Sequence, residues 1–202
     1  MKNILAIIIL TLTFISTAQI PVDRALQNMQ LYEGSVYVTY GHRITLLFSE
    51  LEYRNEIGVF PKTNIAFLNY KQLMVLAQDT AKKEQWNEIR YLKSRNYFKN
   101  KAKGGRIILY VERYDKYETN NKLFFVIIRD KNDNKIWEYQ LPPRSADLVS
   151  AYVFSNWAFI DIDIDLPEEF FVYVNNKTTE HLSDTKFLIQ ENAAPLVKEG
   201  EK

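Results

Sequence analysis

Residues 157–166 read WAFIDIDIDL, with apolar and acidic residues alternating strictly from Ile160 to Leu166. A strand sends successive side chains to opposite faces, whereas a helix of 3.6 residues per turn would scatter this pattern around its axis. The segment therefore predicts a strand with Ala158, Ile160, Ile162, Ile164 and Leu166 on a core face. Trp157, Phe159, Asp161, Asp163 and Asp165 then share the opposite face. A chain containing such a strand must supply an apolar surface to cover its core face. That demand limits the fold to architectures built around a sheet.

The rest of the sequence supplies that sheet. Short β-rich runs occur at 36–40 (VYVTY), 44–48 (ITLLF), 65–68, 73–77, 107–111, 123–128 (LFFVII), 136–141, 170–174 and 187–189. The run 123–128 is continuously apolar and predicts a central strand covered on both faces. The intervening DKNDNK at 130–135 predicts a hairpin turn, because Asn and Asp tolerate left-handed backbone. Aromatic residues make up 14% of the chain, mostly Tyr and Phe, which favours strands. The expected fold class is mainly β: a β-sandwich, jelly-roll or immunoglobulin-like. One amphipathic basic helix is expected at 81–95, with Trp86, Ile89 and Leu92 as its apolar stripe.

The N-terminus has the pattern of an export signal. Lys2 precedes an apolar stretch at 4–15, and Ser16-Thr17-Ala18 present small residues for cleavage. The stretch is shorter than the ~20 apolar residues that span a bilayer. The expected organisation is a signal peptide at 1–18 and a β-rich region with a helix and basic linker at 19–105. A C-terminal β-sandwich at 106–190 and a disordered tail at 191–202 complete it. No transmembrane segment is expected after signal removal, and the expected location is periplasmic or secreted.

Cysteine is absent, which excludes disulfides, thiol catalysis, cysteine-held zinc and a lipid-modified cysteine. The charges nearly cancel, with 26 Lys and Arg against 25 Asp and Glu. They are unevenly placed: 82–106 holds nine basic and two acidic residues, and 107–202 holds 11 basic and 17 acidic. Lys82, Lys83 and Arg90 are the candidate partner-binding residues on this basic stretch, facing an acidic partner or an anionic envelope surface. Export argues against nucleic acid despite the interleaved Tyr91, Tyr97 and Phe98.

The C-terminal segments FFVIIRDKNDNKIWEYQLP, WAFIDIDIDLP and EEFFVYV, taken in order, resemble the jelly-roll accessory domains of bacterial secreted proteins. That resemblance implies a binding or packing module. The N-terminal VYVTYGHRITLLF is similar to the first strands of periplasmic β-sandwich proteins of conjugation machines.

Trp157, Phe159, Asp161 and Asp163 are the candidate ligand-binding residues. The aromatic pair could stack a sugar ring while the acids bond its hydroxyls. Clustered oxygens also attract Ca²⁺, although carboxylates spaced along one strand converge poorly. The plain alternative is a half-buried strand whose acids face water and discourage edge pairing, their repulsion offset by Lys or Arg on a neighbouring strand. The 130–141 segment departs from a calcium loop, with Lys135 at the turn glycine and Leu141 at the bidentate glutamate. His42 and His181 share no ligand spacing and no serine sits in a nucleophile elbow. Asp161, Glu138, Glu168 and Glu169 are the acids available to a glycosidase. Gly104-Gly105-Arg106 precedes a strand rather than a helix and reads as a linker.

The expectation is an exported, non-catalytic protein that binds a protein partner or a glycan, with no cofactor and no metal. An envelope-assembly component of a secretion or conjugation apparatus, and a small hydrolase with unrecognised acids, are the alternatives.

Overall fold

The structure is a computed structural model, and it describes residues 24–49, 61–177 and 182–191. The expected signal peptide, His181 and all of the expected tail but Glu191 lie outside the described residues.

The described residues form ten strands in two antiparallel sheets, with helices against the second of them. β1 (Val36–Thr39) and β2 (His42–Ser49) lead into β3 (Lys62–Leu68). Two helices, α2 (Tyr70–Lys83) and α3 (Glu88–Lys101), then connect β3 to β4 (Gly105–Arg113). A short α1 (Arg24–Asn28) precedes β1 and buries Leu26. β5 (Phe124–Arg129), β6 (Lys135–Gln140), β7 (Asp147–Ser150), β8 (Val153–Ile162), β9 (Glu169–Lys177) and β10 (Leu182–Gln190) follow. The first sheet has the order β1-β2-β10-β9-β5-β6 and the second β3-β4-β8-β7. Consecutive strand pairs thus alternate between sheets, and the last pair inserts beside the first.

The apolar periodicity explains this layering. In β4, Ile107, Leu109 and Val111 face the first sheet, meeting Ile44, Val126, Val172 and Ile189. Ile108 and Tyr110, on the other face, meet Leu73, Ala77 and Phe98 of the helices. All nine residues of β4 are buried because both of its faces are covered. Each buried Ile, Leu or Phe contributes about 1.5–3 kcal/mol.

The mainly-β sandwich expected from the sequence is therefore what the chain forms, with differences in placement. Residues 73–77 are helical rather than extended. Asn69 starts α2 with a capping box: its side chain accepts from the Gln72 amide at 3.0 Å and the Gln72 side chain accepts from the Asn69 amide at 2.8 Å. The single helix expected at 81–95 is two helices. Gln85 adopts a left-handed φ of 51° between them, and Asn87 caps α3 by accepting from the Arg90 amide. The expected stripe is outward, with Ile89 66% and Leu92 43% exposed, and Phe98 is the residue α3 buries. The run at 123–128 is covered on one face only, whereas β3 and β4 occupy the two-sided position.

Residues 96–105, where the basic linker of the 19–105 region would follow the expected helix, are the end of α3 and the entry to β4. An added Cβ at Gly104 would lie 2.1 Å from the Ile164 carbonyl oxygen, so that close approach demands glycine. β3 pairs with β4 along seven residues, and β2 pairs with β10. Both sheets therefore draw strands from either side of residue 105.

Candidate binding groove

β8 carries the candidate site. Its inward residues Ala158, Ile160 and Ile162 lie in the core between the sheets, as the alternation predicts. Its outward face is less simple than a solvated row. Trp157 packs on the buried Tyr110 ring at 4.3 Å, and both Trp157 and Phe159 pack against the helix-side core. Arg106 of β4 stands directly across from Asp161 in the ladder. Its Nε and Nη2 donate to the two Asp161 oxygens at 2.5 and 2.9 Å. The Tyr97 hydroxyl of α3 donates to the same carboxylate at 2.8 Å. Burial, followed by this carboxylate, pushes the Tyr97 phenol up to about 12.

The remaining acids are also engaged. Asp163 accepts from the Trp137 indole at 3.0 Å, and Asp165 accepts from Lys103 at 2.5 Å. The neighbour-strand compensation expected for the acids is thus met at Asp161 by a fork of two charge-assisted bonds. No group of three or more metal-capable side chains occurs among the described residues.

A groove of about 410 Å³ opens beside β8. Trp157, Phe159 and Asp161 line one side. Tyr97 of α3, Arg106 of β4, Tyr139 of β6 and the 141–144 segment line it as well. Tyr97 and Tyr139 are 44% and 41% exposed, so two aromatic faces remain for a ligand. Tyr139 is held by stacking on Trp137, with ring centroids 5.8 Å apart. The groove's one carboxylate is already committed to Arg106 and Tyr97, which suits it to stacking and hydrogen bonding.

The structure thus brings three of the four candidate ligand residues together and leaves Asp163 beyond the groove lining. Tyr97, Arg106, Tyr139 and Arg144 are additions from other segments. Of these, Tyr97 was legible in the sequence only as an aromatic interleaved with the basic stretch, and Arg106 only as a basic neighbour required opposite the acids.

Lys82 and Lys83 lie in the last turn of α2 and Arg90 in the first turns of α3, on either side of the turn at 84–87. They are away from the groove lining. The Arg90 guanidinium lies 4.1 Å over the Trp86 ring and 3.2 Å from Glu84, which also accepts from the Trp86 indole. His42 is buried on β2, edge-on to Phe67 and 3.0 Å from the Gln72 side chain. The 130–134 segment is the expected hairpin turn. Asp130 accepts from the side chain and amide of Asn134 and from the Asn132 amide, which hold its carboxyl below the usual range. Among the described residues, no helix is long and apolar enough to cross a membrane.

No protein-family model matches the chain, and comparison with curated proteins and with solved structures gives no match.

Proposed function

We propose that this chain is an exported, non-catalytic binding protein of the bacterial envelope or exterior, and that the β8 groove is its ligand site. The observation that carries the reading is the pairing of two exposed aromatic faces, Tyr97 and Tyr139, with the Trp157–Phe159 wall of one concave surface. Ligand sites are typically concave, mainly apolar and provided with a few fixed polar groups, at volumes of roughly 300–1,000 Å³. Here the fixed polar groups are Asp161, Arg106, Asn121 and Arg144. The export part of the reading is supported by the 1–18 segment.

Screening the mature protein against a polysaccharide panel and a library of random linear peptides tests the groove. Tyr139→Ala combined with Arg144→Ala should weaken any ligand found by about tenfold, since an aromatic contact contributes roughly 0.5–1.5 kcal/mol and a hydrogen bond a similar amount. Unchanged affinity in the double variant would place the site elsewhere. N-terminal sequencing of the native protein should begin at Gln19, and a start at Met1 would refute export by cleavage.

A further inference from the structure

One edge of β8 lacks a partner. β4 pairs with β8 as far as Ile162, but β7 pairs with it only from Val153 to Ser155. In an antiparallel strand the amide and carbonyl of every second residue point away from a given neighbour. Trp157 shows which residues of β8 point away from β4. Its carbonyl accepts from Asn121 Nδ2 and Arg144 Nη1, each at 3.2 Å, and its amide donates to Asn156 Oδ1 at 3.0 Å. The β4–β8 register runs without a shift, so Phe159 and Asp161 point the same way. Among the described residues, nothing bonds their backbone amides or carbonyls.

The local sequence keeps this edge open. Continuing β7 backwards along β8 would require residues 142–146 in the ladder. Pro142 and Pro143 have no amide hydrogen to contribute. The Arg144 carbonyl is held instead by the Asn121 amide at 3.3 Å and Asn156 Nδ2 at 3.0 Å. The chain therefore leaves β8 and becomes the wall of the groove.

We propose that the groove takes an extended peptide segment of a partner protein, which adds to β8 as a further strand at Phe159 and Asp161. The proposal rests on the groove being the ligand site, and it selects a peptide over a glycan. Two amide–carbonyl pairs repeated two residues apart, ~6.6 Å along the strand, are the complement of an extended backbone. Sugar hydroxyls carry no such repeat. Side chains of the added strand would alternate between two apolar surfaces: Leu141, Ala158 and Ile160 on one side, Tyr97 and Phe159 on the other. The segment should therefore be apolar at successive positions. Arg106 and Asp161 cancel each other, and Arg144 lies 3.9 Å from Asp147, so the groove sets no charge requirement on the segment. Pro142, Pro143 and Arg144 line the groove beside this edge, so the open backbone lies in a groove suited to a single segment rather than on a bare sheet edge.

Peptides selected from a random linear library, with a glycan array run in parallel, provide the test. Peptides with alternating apolar residues should be recovered, and their binding should slow hydrogen exchange of the Phe159 and Asp161 amides in the unmutated protein. Phe159→Ala and Phe159→Pro both lose the ring, but only proline loses the outward amide, at an edge position where proline is tolerated. Proline should weaken the selected peptide about tenfold more than alanine does, the loss of one hydrogen bond together with steric exclusion. Selected peptides that leave both amides exchanging at the free rate would overturn the proposal. Self-association that protects the same amides without peptide would overturn it in favour of a second copy. Glycan binding lost in Tyr139→Ala, with no peptide recovered, would overturn strand addition and leave the groove reading standing. No binder of either class would defeat both.

Discussion

Replacing Asp161 by alanine isolates the electrostatic centre of the groove. Asp161 and Arg106 are 13% and 5% exposed at their side chains. The guanidinium also lies 5.1 Å from the Phe98 ring centroid and 5.6 Å from that of Phe159. Without Asp161, Arg106 keeps its charge and has little room to rehydrate. Removing one partner of a buried ion pair costs about 3–5 kcal/mol, chiefly through the stranded charge. The groove admits some water at Asp161, so the lower end, about 3 kcal/mol, is the expected cost. For a chain of this size that lowers the melting temperature by about 6–12 °C. Urea unfolding followed by tryptophan fluorescence measures it, with an unchanged slope against denaturant. Arg106→Met in the same chain removes the stranded charge and keeps apolar volume between the rings. The double variant should therefore be more stable than Asp161→Ala alone. A cost below about 1 kcal/mol for the single variant, or a double variant no better than the single, would refute the argument that this pair is effectively buried.

Alkaline pH should destabilise the fold through its tyrosines. Burial raises Tyr37 and Tyr110, and burial with the Asp161 bond raises Tyr97 to about 12. An unfolded tyrosine titrates near ~10. The native chain thus holds protons that the unfolded chain releases. Stability from this source is complete below pH ~10 and is lost as pH rises through the folded values. Urea midpoints across this range should fall less steeply in Tyr97→Phe, and an identical slope would count against the shift. Gly105→Ala should cost about 1–3 kcal/mol or more by thermal unfolding, because its φ is 112° and the new Cβ would lie 2.4 Å from the Leu68 carbonyl oxygen. Gly34→Ala, at a φ of 81° with open space around it, should cost less. Asn69→Ala removes the cap of α2 and should cost about 1 kcal/mol, with Asn69→Ser, which keeps an accepting oxygen and sets no second carboxylate beside Glu191, as the milder control.

Strand character and the identity of core-facing residues could be read wherever the period was strict. Alternation belongs to the local chain, so Ala158, Ile160 and Ile162 had to share a face whatever covered them. The Asp130 turn was equally local, since its hydrogen bonds close within five residues. Neighbouring apolar runs were less decisive. Residues 73–77 are short enough to suit a strand or a helix, and the capping box at Asn69 together with the outer face of β3 and β4 selects the helix. In β5, Phe125 and Ile127 are half-buried on the uncovered face of the first sheet, so a continuous apolar run did not mean cover on both sides.

The groove belongs to the other category. The alternation at 157–166 singled out Trp157, Phe159 and Asp161, but it could not show that Arg106 would stand opposite Asp161. Nor could it show that Tyr97 from a helix and Tyr139 from the other sheet would meet them. Those encounters depend on register between distant segments and on how two sheets and a helical layer stack. The open backbone at Phe159 and Asp161 is a tertiary outcome too. Its local cause, Pro142-Pro143, is plain in the chain, yet only the folded arrangement decides which strand those prolines leave unpaired. Side-chain periodicity is set by covalent geometry one residue at a time, whereas the partner of a face or an edge is chosen by the packing of the whole molecule.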